Sequence, residues 1–250
     1  MELERNFFNK HRPRGIYLLP NLFTTAALFS GFYAIVAAVK GQIDQAAMAI
    51  FIAMVLDGLD GRVARMTNTQ TAFGAEYDSL SDMVGFAIAP ALLVYIWSLH
   101  TLGKIGWLVA FVYAAATALR LARFNTQAHD TDKRYFQGLP CPSAAAVVAG
   151  MVWCADHYAV SSVFIAIPAA IVTLSVAALM VSRVRYYSFK QIDFKGRVPF
   201  VMVVALVVII AGIAINPPLI LFALFLGFAA SGPIMTLWQL RKMRRFRLEK

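Results

Sequence analysis

Long apolar runs, broken by short charged stretches, extend along the whole chain. Several approach the roughly 20 residues that an α-helix needs to cross a bilayer. They predict eight helices, at 17–39, 42–65, 78–100, 104–124, 142–156, 160–182, 198–215 and 217–240. Turns at Gly41 and Gly103 divide the earlier ones. Pro217 and Pro218, after Asn216, divide the last pair, because proline ends or kinks a helix yet tolerates its first turn. No long polar domain, low-complexity tract or internal repeat interrupts the pattern. The expected fold is all-α: a polytopic membrane helical bundle of about eight transmembrane helices, forming one integral membrane domain over residues 1–250.

Composition agrees with lipid as the surrounding medium. The chain is 60% apolar and 14% charged, with a mean hydropathy of +0.67, whereas soluble domains carry about 25% charged residues. The net charge of +10 raises the question of nucleic acid. The basic residues fall between apolar runs and not on one polar face, so they mark the cytoplasmic ends of membrane helices, and no nucleic-acid partner is expected. With the N-terminus inside and eight alternating spans, only Lys40 and Lys104 of the 23 basic residues lie outside. Both termini are therefore expected in the cytoplasm. Lys133, Arg134, Arg183, Arg185 and Lys190 are assigned to this asymmetry before any lipid headgroup.

The opening MELERNFFNKHRPRG is basic and precedes an apolar run from Ile16 to Val39. That run exceeds the roughly 7–15 residues of a signal-peptide core, so it is read as a retained first span behind a short amphipathic lead-in. Phe7 and Phe8 there either lie on the membrane surface or belong to a frayed terminus. Cys141 and Cys154 fall toward opposite ends of one candidate span, which argues against a disulfide, and neither is given a role.

Against this apolar background, DGLDGRVAR (57–65) and GAEYDSLSD (74–82) stand out. Asp57 and Asp60 are three apart and Asp78 and Asp82 four apart, so each pair projects from one helix face. Both pairs belong to the same end of adjacent helices. Four carboxylates at close quarters cannot all stay ionised without compensation, and a hard divalent cation, which prefers carboxylate oxygen, supplies it. Two such ions about 3.5–4 Å apart could bridge the acids and clamp a phosphoryl group. Gly58, Gly61, Ala64 and Gly74 remove bulk where a nucleotide or pyrophosphate would lie against the backbone, and Arg65 suits phosphate through its planar fork. Structural ion pairs with Arg62 and Arg65 are the alternative, but acids inside a membrane usually mark function. A cation transporter would place them near the midplane, between repeats; here they sit at one face and repeats are absent. His11, His100, His129 and His157 are too scattered for a histidine metal site.

The pattern D57-x2-D60-G61-x2-A64-R65-x8-G74-x3-D78-x3-D82 resembles the complete signature of the CDP-alcohol phosphotransferases. These membrane enzymes move a phosphatidyl or related group from a CDP-linked donor to an alcohol and release CMP. LPNLFTTAALFSG (19–31), ALRLARFN (118–125), FQGLPCPSAAA (136–146) and MVSRVRYYSF (180–189) are similar to stretches of their membrane-embedded phosphatidylserine synthases. The resemblance implies CDP-diacylglycerol and L-serine as substrates, Mg²⁺ or Mn²⁺ as cofactor with two ions bound, a prokaryotic cytoplasmic membrane as location, and a homodimer. It implies Asp57, Asp60 and Asp78 as metal ligands, with Asp82 touching the second metal and serving as general base. Gly61, Arg65, Thr71 and Gly74 match positions that cradle CDP, and Asn21 and Thr24 match a further donor-contacting segment. For Asn21 a helix cap after Pro20 is an equal alternative. Serine's carboxylate could be held by Arg120, Arg123 and Asn125, which otherwise serve as a positive-inside anchor and helix stop. Sibling enzymes that use glycerol 3-phosphate or an inositol compound are the nearest alternative. The last two helices, 198–240, are read as a C-terminal addition.

Overall fold

Helix α1 (Leu18–Val39) turns at Gly41 into helix α2 (Ile43–Thr67); Gly41 has a φ of 73°, which glycine adopts without a Cβ penalty. The hairpin closes on small residues: Ala34, Ala37 and Ala38 from α1 meet the layer of Ala46, Ala47, Ala49 and Ala53 from α2, all buried. Without a hydrophobic drive between helices in lipid, close backbone approach supplies the attraction, and small side chains permit it. Ser30 adds a hydrogen bond from its hydroxyl to the Ala49 carbonyl at 2.8 Å. In this computed structural model residues 18–67, 69, 71–127, 135–187 and 200–248 are described. The amphipathic lead-in with Phe7 and Phe8, and Lys133, Arg134 and Lys190, lie outside them.

The third segment starts earlier than its apolar run. Helix α3 (Ala72–Asp82) passes through a π-helical stretch (Met83–Ile88) into α4 (Ala89–Trp97). Hydropathy predicts a start at 78, but Thr71 is the N-cap: its extended backbone (φ −126°, ψ 153°) lets its hydroxyl accept the Gly74 N–H at 3.0 Å. The first turns of α3 carry Glu76, Asp78, Ser79 and Ser81, so an apolar pattern cannot reveal them. At the π stretch α1 and the third segment nearly touch: a Cβ on Gly31 would lie 2.7 Å from the Gly85 Cα. The wide turn leaves carbonyls outside the α-helical pattern, and Tyr113 donates its hydroxyl to the Phe86 carbonyl at 2.9 Å.

A 3₁₀ turn (Leu99–Leu102) and Gly103 lead into α5 (Lys104–Gln127), followed by α6 (Cys141–His157), α7 (Ser162–Val181), α8 (Phe200–Ile215) and α9 (Pro217–Leu248). The shortest helix expected from the sequence, α6, is the most enclosed. It is buried along almost its whole length and packs against α2, α4, α7 and α9, as suits a helix apolar all round. Phe29, Phe32, Ile52, Phe111, Phe164 and Ile210 face outward, where lipid is their solvent. Helices over Leu19–Val39, Ala72–Trp97, Lys104–Thr126, Ser162–Val181 and Pro217–Thr236 are long and apolar enough to cross a membrane, and Val203–Ile215 is a shorter apolar one. The chain is a helical membrane protein.

The architecture is helical, as expected, with one small non-helical element added. Strand β1 (Tyr135–Gln137) pairs antiparallel with β2 (Arg185–Tyr187), Phe136 opposite Tyr186. Three residues are too few for an alternating pattern to register in sequence, and the partners are about 50 positions apart. The ribbon fastens several helices. Gly138 (φ 75°) donates its N–H to the Val184 carbonyl at 2.8 Å, and a Cβ there would come within 2.2 Å of the Met180 carbonyl oxygen. Tyr186 is fully buried and donates its hydroxyl to Ala229 of α9 at 2.9 Å.

Candidate active site

The C-terminal end of α2 and the first half of α3 bring the acids together. Carboxylate oxygens of Asp57, Asp60 and Asp78 all lie within 4.8 Å of one another. Asp82, one turn beyond Asp78 and half-buried, stands beside this trio, within electrostatic reach of Asp57, Asp78 and Asp60. Helix α1 supports the cluster from behind. Thr24, buried, donates its hydroxyl to Asp60 Oδ2 at 2.8 Å. Ser81 donates to the Thr24 carbonyl at 3.2 Å, and the Tyr77 and Thr25 hydroxyls share a bond at 2.9 Å. The two acid-bearing helices are thereby fixed to one strut.

The donor set suits a hard divalent cation. Three carboxylates supply only oxygen, and Asp78 Oδ1 is buried without a hydrogen-bond partner among the described residues. Leaving such an oxygen unpaired costs on the order of 1–3 kcal/mol or more, and repulsion among like charges adds to that. A cation at the trio relieves both. Three of the four acids can therefore hold a metal ion together.

A cavity of about 210 Å³ opens beside the acids. Asp60 and Asp78 form its acidic end, Gly61 and Arg65 its α2 wall, Thr71 and Gly74 its α3 wall, and Asn21 and Thr24 its α1 wall. Arg65 folds back along its own helix: a Cβ on Gly61 would sit 3.7 Å from Arg65 Nη1. A Cβ on Gly74 would meet Thr71 Oγ1 at 3.1 Å and Asn21 Oδ1 at 3.5 Å, so the missing side chain keeps three walls close. Asn21 does not cap α1, since the helix already begins at Leu18; its carbonyl accepts from Thr25 Oγ1 at 2.7 Å. All six donor-side residues picked out in the sequence line this one cavity.

The three acceptor-side residues do not converge. Arg120, half-buried, points toward the first turn of α6 and donates from Nη1 to Cys141 Sγ at 3.1 Å. Arg123 bonds Gln137 of the ribbon and the Val181 carbonyl, tying α5 to the end of α7. Asn125 is exposed and donates to Ser79 of α3 at 3.0 Å. Three residues at the site escape the sequence reading: Cys141, which feels the charges of both Arg120 and Asp82, Gln137 and Ser79. In the sequence Cys141 shows only within the stretch FQGLPCPSAAA, where a proline-flanked residue starts a helix.

Comparison with known proteins bears on this site. The sequence pattern of the CDP-alcohol phosphatidyltransferase family matches residues 17–181, which include every acid and every cavity wall named above. A Helicobacter pylori protein named CDP-diacylglycerol–serine O-phosphatidyltransferase is 37% identical over 217 residues, covering 85% of this chain and 87% of its own. Proteins of the same name from Bacillus subtilis (33% identical over 173 residues, 69% of this chain and 92% of that one) and Mycobacterium bovis (38% over 151 residues, 56% and 52%) are also similar.

Proposed function

The chain belongs to the CDP-alcohol phosphatidyltransferase family, and from that premise we propose that it transfers the phosphatidyl group of CDP-diacylglycerol to the hydroxyl of L-serine, giving phosphatidylserine and CMP. The observation that carries the reading is the meeting of three carboxylates within 4.8 Å, one oxygen unpaired, at the end of a cavity walled by Gly61, Arg65 and Gly74. Serine as the acceptor is supported by the names of relatives similar over most of the chain.

Asp57, Asp60, Asp78 and Asp82 are the residues that would hold Mg²⁺ or Mn²⁺, as one ion or two. A bound divalent ion supplies charge neutralisation to the pyrophosphate and to the leaving CMP. The chain's own residues do the rest. Gly61 and Gly74 let the nucleotide approach the backbone, and Arg65 offers a fork to phosphate oxygens. Asn21 and Thr71 face the same space with amide and hydroxyl groups. Asp82 takes the proton from the serine hydroxyl. The freed oxygen attacks the diacylglycerol-linked phosphorus in line, a new P–O bond forms, and the P–O bond to CMP breaks. Arg120 offers its charge to the serine carboxylate.

Eight spans, both termini inside and the acids at the cytoplasmic face complete the proposal, because that arrangement places all basic residues but Lys40 and Lys104 inside. A single membrane domain over 1–250 and a homodimer belong to the same reading. The direct test uses purified protein with CDP-diacylglycerol, Mg²⁺ or Mn²⁺, and each candidate acceptor in turn. CMP release that requires serine and the metal is the expected result. Release with glycerol 3-phosphate or an inositol compound instead would overturn the acceptor, and silence with every acceptor from folded protein would overturn the reaction.

A further inference from the structure

Arg120 and Asp82 stand on different helices, and a third residue, Cys141 of α6, touches the first and lies within electrostatic reach of the second. Cys141 is completely buried at the first position of α6. Its sulfur accepts from Arg120 Nη1 at 3.1 Å and feels the charge of Asp82. Thiol sulfur is a weak acceptor, so this contact orients the guanidinium without neutralising it; a carboxylate in the same place would consume the charge. Two further observations point to an anion as the missing partner. Arg120 Nε is buried with no hydrogen-bond partner among the described residues. The 17-residue helix α6 has no side-chain cap at its N-terminus, and its dipole turns the positive end toward the same space.

We propose that Cys141 is a positioning residue of the acceptor pocket: by holding one end of the Arg120 guanidinium, it directs the unpaired Nε–H at the carboxylate of the amino-acid acceptor, whose hydroxyl then faces Asp82. The inference rests on serine being the acceptor. It assigns acceptor recognition to three residues on three helices, Arg120, Cys141 and Asp82. It also gives the arginine a reason to be half-buried. In water the guanidinium would bind any anion weakly, whereas a fixed and partly desolvated fork favours a carboxylate that can take two parallel bonds. Acceptors without a carboxylate gain nothing from it.

The test compares Cys141→Ala with Cys141→Ser in the full-length protein by steady-state CMP release, varying L-serine and CDP-diacylglycerol separately. Losing one orienting hydrogen bond should raise the KM for serine about fivefold in Cys141→Ala, while kcat and the KM for CDP-diacylglycerol stay close to those of the unaltered protein. Cys141→Ser keeps an acceptor atom and should recover most of the loss. A serine KM unchanged in Cys141→Ala overturns the inference, as does a loss shared equally by both substrates. If Cys141→Ala does not fold, Cys141→Val, which fills the space without an acceptor, replaces it in the comparison with Cys141→Ser. Failure of the unaltered protein to release CMP with serine would remove the acceptor reading and this inference together. Activity with serine that is indifferent to Cys141 would remove the inference alone.

Discussion

On the side of α1, α2 and α3 the acids rest on a hairpin of alanines and on hydrogen bonds between neighbouring helices, with Thr24 fixed to Asp60 and Ser81 fixed to Thr24. On the side of α5, α6 and the ribbon, each polar residue takes its bearing from a different partner: Arg120 from Cys141, Arg123 from Gln137, Asn125 from Ser79. The first side gathers six residues around one cavity; the second turns three residues to separate partners. A rigid, shared scaffold suits a donor whose nucleotide and pyrophosphate are common to a whole family. An assembly of individually oriented side chains suits a small acceptor held by a few aimed groups.

Substitutions can break or sharpen this contrast. The largest effect is expected where the two sides meet. Asp82→Asn should lower CMP release about 10³-fold, as loss of a general base does, in protein whose thermal unfolding is unaltered. On the donor side, Thr24→Val removes the hydrogen bond that orients Asp60. The metal concentration for half-maximal rate should rise about 10- to 100-fold, while the KM for serine holds steady. Gly31→Ala tests the scaffold itself. With its Cβ 2.7 Å from the Gly85 Cα, the helices must separate, costing about 1–3 kcal/mol, read as a lower unfolding temperature in detergent. Gln137→Ala is the mildest. Its partner Arg123 retains the Val181 carbonyl, so the serine KM should rise by no more than about twofold to fivefold, with the donor KM unchanged. Were Gln137→Ala to affect the donor and Thr24→Val the acceptor, the two sides would be one.

The same contrast governs what the amino-acid order discloses. Asp57 and Asp60 share one helix face and Asp78 and Asp82 another, all within 26 consecutive residues, so the approach of Asp57, Asp60 and Asp78 can be read from their spacing. The hairpin geometry follows from Gly41 and the adjoining apolar runs. The start of α3 at Ala72 is hidden because its opening turns are polar, and only the Thr71 cap marks it. The ribbon is hidden because its two three-residue strands pair across helices α6 and α7. Cys141 is hidden because its meaning depends on Arg120, 21 positions away, and on Asp82, 59 away. Contacts within a helical turn leave a period in the sequence; contacts made by packing leave none.

The π-helical stretch carries a consequence of its own. The Ala89 N–H reaches back five residues to the Val84 carbonyl, so this turn holds one residue more than an α-turn would. Each α-helical residue advances about 100° around the axis. Were the same residues wound as an uninterrupted α-helix, Asp78 and Asp82 would swing by about that angle relative to Leu93 and Val94. The compass bearing of the acids is thus set by a wide turn that lies after them in the chain, and a change that drew this turn back to α-helical pitch would rotate the carboxylates away from their partners on α2.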